Sequence, residues 1–188
     1  MILEVIRNRW SPLSFSGKPV EEEKLREMFE AASCAPSSMN EQPWIFIIAT
    51  KNDREKFDDF ASFLVETNRL WANEAWALIV TLARTKFVYK DRPNAYAFHD
   101  TGLAVANLVT QAMSLDIYAH QMGGFFPERI REYFSLPEGV DPVSVIAIGY
   151  LGDGKGLNED LRKRHNSRKP KKSISEFAFR NSFGNPAF

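Results

Sequence analysis

Apolar and polar positions along the first half of the chain predict helices that alternate with short strands. In residues 21–33 the apolar residues recur every three or four positions, which is the period of an amphipathic helix. Two apolar runs without polar alternation, at 44–50 and 76–83, indicate strands that are covered on both faces. Between them, residues 52–73 have the pattern of a helix in two pieces.

The second half of the chain continues this alternation. A long helix is predicted over residues 95–115, and we expect it in the interior because it has almost no polar side. Strands are predicted at 117–121 and 143–150, with a short helix at 127–134 that begins with proline and an acid. The pattern favours a mixed α/β layered fold, and we predict one domain over residues 1–188.

Composition agrees with a packed domain that makes no contact with membranes. The 188 residues are 44% apolar and include 15 phenylalanines, which excludes a wholly disordered chain. No apolar run reaches the roughly 20 residues that cross a bilayer, and the first residues lack the pattern of a signal peptide. One cysteine, Cys34, excludes an internal disulfide and a cysteine-rich metal site. We therefore expect a cytoplasmic protein.

Positive charge is concentrated near the end of the chain. Lysine plus arginine and aspartate plus glutamate number 24 each, but residues 162–172 carry seven basic side chains and no acid. Such a run is typical of a solvated linker; the alternatives are capture of a small phosphorylated ligand and nucleic-acid binding. The acidic remainder of the chain and the lack of interleaved aromatic residues argue against nucleic acid.

The last residues need a surface to cover. Residues 174–188 contain four phenylalanines and too few other residues to bury them. We therefore expect residues 155–188 to form a basic linker and a phenylalanine-rich arm that wraps the partner subunit of a homodimer.

Known catalytic motifs are missing from the sequence. The chain has no Walker loop, dinucleotide fingerprint, nucleophile elbow or paired-carboxylate signature. His99, His120 and His165 lack metal-ligand spacing and are expected to be structural. We predict no metal site and no catalytic side chain, because the chemistry would be supplied by a cofactor.

Three separated segments have the character of a ligand site. Residues 7–11 (RNRWS) place two guanidinium groups and a hydroxyl within five positions, which suits a phosphate. Residues 35–44 (APSSMNEQPW) offer hydroxyls and amides to a polar heterocycle, or alternatively bind their own backbone. Residues 120–126 (HQMGGFF) hold two glycines that permit close approach of a flat ligand, although a tight turn explains them equally well.

These segments resemble the signatures of the flavin-dependent nitroreductase family. Arg9-x-Ser11-x-x-x-Phe15 is similar to its RxSxRxF motif, and residues 35–46 are similar to its APSSxNxQPWxF motif. Arg168-Lys-Pro170 resembles a basic motif that reaches the phosphate of FMN. The resemblance extends from about residue 5 to residue 178, and the motifs occur in the same order as in the family. It also includes the central helix at 107–115, the glycine turn at 121–125 and the final core strand at 146–152.

The resemblance implies an α+β fold with a central, mostly antiparallel sheet flanked by helices, as an intertwined homodimer with FMN at both interfaces. It implies that NAD(P)H reduces FMN and leaves before an electron-poor acceptor, such as a nitroaromatic or a quinone, takes the electrons. Alternatives are a flavin-binding or redox-sensing module without efficient turnover, or a specialised member such as a reductive dehalogenase or a flavin destructase.

The resemblance also implies which residues bind FMN. The phosphate and ribityl end would contact one subunit, the other subunit would supply a polar loop, and the isoalloxazine would lie along a glycine turn. The residues implied for the phosphate and ribityl end are Arg9, Trp10, Ser11 and Arg168. Those of the polar loop are Pro36, Ser37, Ser38, Asn40 and Gln42, and those along the glycine turn are Gln121, Gly123 and Gly124.

The chain departs from the family pattern at three positions. Leu13 stands where the family has a phosphate-binding Arg or Lys, and Asn166 stands where Lys is frequent. These departures predict weaker FMN binding, or the use of Lys169 or Arg7 instead. Leu13→Arg would then strengthen FMN binding, whereas a core position for Leu13 would make that change destabilising. Asp116 replaces a glycine after the central helix and indicates a local difference in the turn.

Overall fold

The computed structural model describes residues 1–90 and 92–188 and confirms the α+β fold. Over these residues a four-stranded antiparallel sheet has helices on both faces. The strands, which pair in the order β1-β2-β4-β3, are β1 (Trp44–Thr50), β2 (Ala77–Arg84), β3 (Ile117–Met122) and β4 (Val140–Tyr150). The helices are α1 (Glu4–Asn8), α2 (Glu22–Ser33), α3 (Arg54–Ser62), α4 (Glu66–Ala72), α5 (Ala97–Ser114), α6 (Pro127–Phe134) and α7 (Glu159–Asn166).

Each face of the sheet has its own hydrophobic core. Successive side chains of a strand point to opposite faces, so β2 contributes to both cores. Leu78 and Val80 pack with α3, α4 and α6, whereas Ile79 packs with α2 and α5. Residues 77–83 are all buried, which confirms the prediction of a strand covered on both faces.

The same prediction is only partly right for β1, because β1 is an edge strand. Trp44 and Phe46 pack against one core while Ile45 and Ile47 pack against the other, so both faces are apolar as expected. Most of the strand is nevertheless half-buried, and Ile48 is 36% exposed. A run of apolar residues shows that both faces of a strand are apolar, but it does not show whether another element packs on each face.

The long helix α5 lies at its predicted position, but the prediction that it is interior is wrong. One face packs against α2 and the sheet, while Gly102 and Ala106 are exposed and Leu103 is half-buried. These three residues on its outward side are therefore left at least partly uncovered by this chain. Within the described residues, no helix combines the length and apolarity required to traverse a membrane.

Local backbone features explain two boundaries that differ from expectation. Strand β4 begins three residues before the predicted start, and Pro142 lies opposite Leu82 where the register of β2 and β4 shifts. Proline is tolerated at such a bulge because the ladder hydrogen bond is already interrupted there. After α5, Asp116 has φ = 59°, a left-handed conformation that aspartate adopts more readily than most residues and that glycine adopts freely.

We had predicted a basic linker and an arm over residues 155–188, but part of the basic run is helical. Its first residues belong to α7, whose amino end is capped by Asn158 and which buries Leu161 and His165. The cap and the two buried residues explain the helix, because they anchor one side of an otherwise charged segment. The remainder of the run is exposed, and so are Phe177, Phe183 and Phe188 of the tail.

Candidate functional site

A short segment after α1 is held in place by two histidines. The Nδ1 atom of His120, in β3, lies 2.7 Å from the carbonyl oxygen of Pro12, and the backbone N–H of Leu13 donates to Nδ1 of His165 at 3.1 Å. His120 therefore carries a proton on Nδ1, whereas Nδ1 of His165 is unprotonated, because a carbonyl only accepts and an N–H only donates. Each histidine therefore holds one backbone group of this segment in place.

Burial disfavours the protonated form of both imidazoles. Desolvation lowers the pKa of His165, and it is also the main reason that the pKa of His120 is lowered. The positive charges of Arg164 and Arg9 lower the pKa of His120 further, against the opposing effect of its hydrogen bond to Pro12.

Trp10 joins the beginning of the chain to its last helix. The guanidinium of Arg168 lies 4.6 Å from the centre of the Trp10 ring, and the His165 ring lies 5.0 Å from it. Beside them, Nη1 of Arg9 lies 3.5 Å from Oγ of Ser11. The structure thus brings together all four residues that were predicted for the phosphate end, although they are more than 150 positions apart in the chain.

These residues line a cavity of about 590 Å³, here called the basic pocket. Trp10, Ser11, His120 and Ser167 form its uncharged part. The remaining lining residues are six cations, namely Arg7, Arg9, Arg164, Arg168, Lys169 and Lys171. Within the described residues none of the six forms an ion pair with a carboxylate, whereas Lys163, which precedes Arg164 in α7, pairs with Glu159 at 2.7 Å. The pocket can therefore bind an anion without first breaking a salt bridge.

Leu13 is not part of this pocket and occupies the core position that was one of the two possibilities considered for it. Its side chain is 3% exposed and packs in the core with Phe15 and Trp71. Asn166 points elsewhere as well and lines a separate small cavity beside Asp153. Arg7 and Lys169, the two substitutes that had been considered, both line the basic pocket.

Besides these two substitutes, four lining residues were not among the predicted site residues: His120, Arg164, Ser167 and Lys171. The run at 162–172 was the available signal for three of them, because a small phosphorylated ligand was one of its possible partners. The sequence could not show that a helix turns part of this run toward Trp10.

The predicted polar loop lies apart from the basic pocket in the described part of the chain. Ser37 Oγ accepts a hydrogen bond from the N–H of Gln42, and the N–H of Ser38 donates to Oδ2 of the buried Asp100 at 2.8 Å. Asn40 and Gln42 are exposed, and both have positive φ. Pro36 is also exposed, and none of the five residues predicted from this loop lines the pocket. The loop thus bonds partly to itself while still presenting two amides to solvent.

The two glycines after β3, Gly123 and Gly124, have different surroundings. A Cβ on Gly124 would lie 2.7 Å from Nδ2 of Asn68 and 2.9 Å from Cγ2 of Val65, so packing explains this glycine. A Cβ on Gly123 would meet nothing within 4 Å. Gly123 and the exposed Gln121 therefore form an open backbone surface that a flat ligand can approach.

Comparisons with known proteins agree with these motifs. The model of the nitroreductase family matches residues 6–150. An uncharacterised 15.4 kDa protein of Mycolicibacterium smegmatis is 35% identical over 132 residues, which is 70% of this chain and 87% of that protein. A protein of Methanothermobacter thermautotrophicus, whose name proposes an NADH dehydrogenase or NAD(P)H nitroreductase, is 29% identical over 163 residues, covering 84% and 81%.

A solved structure is similar over almost the whole chain. It is described as an oxidoreductase containing FMN, has a TM-score of 0.92 and is 34% identical. The alignment covers 98% of this chain and 94% of that chain.

Proposed function

The chain belongs to the nitroreductase family, and on that premise we propose that it is an FMN-dependent oxidoreductase that uses NAD(P)H. The observation that carries the proposal is the basic pocket, which gathers six cations without a carboxylate partner among the described residues. The FMN of the similar solved structure supports the same cofactor here.

The residues present fit FMN by their chemistry. We assign the phosphate to Arg9, Ser11 and Arg168, because guanidinium groups and a hydroxyl donate to phosphate oxygens and none of these donors is used by a carboxylate. Trp10 holds Arg168 by a cation–π contact and so orders a long side chain before a ligand arrives. Ser167, at the end of α7, is a further hydroxyl of the pocket wall.

We assign the flavin ring to the backbone at Gln121, Gly123 and Gly124, where Gln121 and Gly123 are exposed. The polar loop with Pro36, Ser37, Ser38, Asn40 and Gln42 would come from a second copy of the chain, which explains why it lies apart from the pocket here. When bound, FMN supplies the transfer of two electrons from NAD(P)H to an electron-poor acceptor such as a nitroaromatic or a quinone. The protein residues bind, orient and partly shield the cofactor, and no side chain is assigned as acid or base.

A dimer completes this assignment. Phe177, Phe183 and Phe188 are 62%, 95% and 82% exposed, and the outward side of α5 and the edge strand β1 are also incompletely covered. Exposed apolar surface of this extent is typical of an interface. We propose that residues 155–188 contribute α7 to the pocket of their own chain and place the tail on the partner.

The proposal is tested first by the spectrum of the concentrated protein, in which bound oxidised flavin absorbs at about 450 nm. Titrations with FMN and with riboflavin, which lacks the phosphate, then locate the phosphate. Arg168→Gln is expected to weaken FMN binding about tenfold and leave riboflavin binding unchanged, since one charge-assisted hydrogen bond is lost. Lys163→Gln is the matched control, because Lys163 lies nearby on α7, pairs with Glu159 and does not line the pocket.

Turnover separates an enzyme from a flavin-binding module. NADPH and NADH oxidation by the FMN-loaded protein is measured with and without a quinone or nitroaromatic acceptor, beside free FMN at the same concentration. Rates above free FMN support the enzyme. A protein that binds FMN but does not exceed this rate would contradict the oxidoreductase assignment.

A further inference from the structure

The basic pocket carries more positive charge than one phosphate group neutralises. A phosphate monoester has about −1.5 to −2 charges near neutral pH. The pocket has six cationic side chains, so roughly four positive charges would remain after FMN is bound.

These charges lack internal compensation. Some other Lys and Arg side chains of the described chain form ion pairs, including Lys163 and Lys155 close to the pocket in sequence, but the six lining cations form none. Like charges around one cavity repel each other and raise its positive potential. An additional anion would relieve this repulsion, whereas a neutral ligand would not.

The volume of the pocket also allows more than one phosphate. A cavity of about 590 Å³ corresponds to roughly 20 water molecules at about 30 Å³ each. A phosphoryl group and its immediate water occupy a fraction of this space. Four cations, namely Arg7, Arg164, Lys169 and Lys171, are left for a second group, because the phosphate of FMN has been assigned to Arg9, Ser11 and Arg168.

We propose that the basic pocket binds a second phosphoryl group beside the phosphate of FMN, using Arg164 and Lys171. The proposal rests on the proposed function. Two sources share this chemistry: the 2′-phosphate of NADPH, or the additional phosphate of a flavin dinucleotide in place of FMN. The first would give the enzyme a preference for NADPH over NADH.

The test begins with calorimetric titration of the FMN-loaded protein with adenosine 2′,5′-bisphosphate, and with 5′-AMP as the ligand that has one phosphate fewer. We expect the bisphosphate to bind at least about tenfold more tightly than 5′-AMP. The double variant Arg164→Gln/Lys171→Gln should lose about tenfold or more of this affinity while FMN affinity changes less than about threefold, and the loss should shrink at high salt. Lys163→Gln should change neither affinity.

A second arm distinguishes the two sources. Displacement of FMN by FAD is followed by the fluorescence of the released FMN. If FAD competes at least as well as FMN, and only while Arg164 and Lys171 are present, the second phosphoryl group belongs to a flavin dinucleotide. If the bisphosphate binds and FAD does not compete, it belongs to NADPH. Either result supports the proposal.

Two results overturn it. Absence of bisphosphate binding and of FAD competition, with FMN bound, would leave the proposed function intact and exclude a second phosphoryl group. A loss of FMN affinity in the double variant as large as that of Arg168→Gln would mean that all these cations serve one phosphate. FMN affinity is measured first, so failure to bind FMN at all is recognised separately and overturns both proposals.

Discussion

Leu13 and Arg9 lie four positions apart, yet their side chains have opposite surroundings. Arg9 lines the basic pocket, whereas Leu13 is buried against Phe15 and Trp71. The family pattern alone placed a phosphate contact at position 13. The structure shows that Arg7, Lys169 and neighbouring cations reach the pocket instead, so this chain carries the positive charge at other positions.

Leu13→Arg is therefore expected to destabilise the protein without improving FMN binding. A guanidinium in the core has no anionic partner there, and its desolvation should lower the free energy of unfolding by about 3 kcal/mol or more. Leu13→Met is the control and should cost less than about 1.5 kcal/mol. Urea denaturation and FMN titration measure both effects. A stable arginine variant that binds FMN more tightly would show that position 13 faces the phosphate after all.

His165 predicts that stability depends on pH. Its pKa in the folded protein lies below the ordinary value of 6.5, so the unfolded chain takes up the proton first. Its contribution is complete above pH 6.5 and is lost as the pH falls from there toward the folded pKa. The protonated ring cannot accept the N–H of Leu13, a hydrogen bond worth about 0.5–1.5 kcal/mol.

His165→Asn tests this dependence, because the amide oxygen can accept the same N–H and does not titrate. Denaturation between pH 8 and pH 5 should show a shallower fall in stability for this variant than for the unaltered protein. Part of the fall should remain, since the pKa of His120 is lowered in the same direction. Identical slopes for the two proteins would contradict the role given to His165.

The order of the helices and strands was predictable from the sequence, but the extent to which neighbouring elements bury each of them was not. The period of apolar residues predicted α2, β1, α6 and the two-part helical region now seen as α3 and α4, with boundaries within about three residues. The burial of an element depends on which other elements pack beside it. This explains why the predicted burial of β1 and of α5 was too high. Likewise, the motif residues Arg9 and Arg168 were identifiable, while the contribution of Arg164 depends on the orientation of α7.

Asp100, at the beginning of α5, is expected to position the polar loop. Its Oδ2 accepts the N–H of Ser38, and the loop then passes through three residues with positive φ, namely Met39, Asn40 and Gln42. Non-glycine residues in this region are strained and persist only when neighbouring contacts hold them. Asp100→Ala should weaken FMN and riboflavin binding equally, by about tenfold, whereas Asp100→Asn should retain most of the affinity because its amide oxygen still accepts. A larger effect on FMN than on riboflavin would contradict this role.

Gly123 and Gly124 form a matched pair in the turn after β3. Gly124→Ala should destabilise the protein by about 1–2 kcal/mol, because its Cβ meets Val65 and displaces the Asn68 side chain that donates to the Gly124 carbonyl. Gly123→Ala has free space and should leave thermal stability unchanged. If the flavin lies on this backbone, Gly123→Ala should nevertheless weaken FMN and riboflavin alike. Unchanged binding of both ligands would place the ring elsewhere.

We expect residues 174–188 to contribute to dimerisation and not to the folding of the domain. No residue of 174–188 is buried, so removing this segment exposes no core and should leave the circular dichroism of the domain unchanged. Three exposed phenylalanines per chain would contribute at most roughly 9–18 kcal/mol when two arms are buried. That is comparable with the about 12 kcal/mol that corresponds to a nanomolar dimer.

Truncation after Ser173 is therefore expected to convert a dimer into a folded monomer that has lost most of its FMN affinity, since each site would lack the polar loop of its partner. Sedimentation velocity and FMN titration give the two measurements. A full-length variant with Phe177, Phe183 and Phe188 changed to serine should behave in the same way if the aromatic rings carry the association. A truncated chain that remains a dimer with undiminished FMN binding would show that α5 and the sheet edge suffice, and that the tail is not the interface.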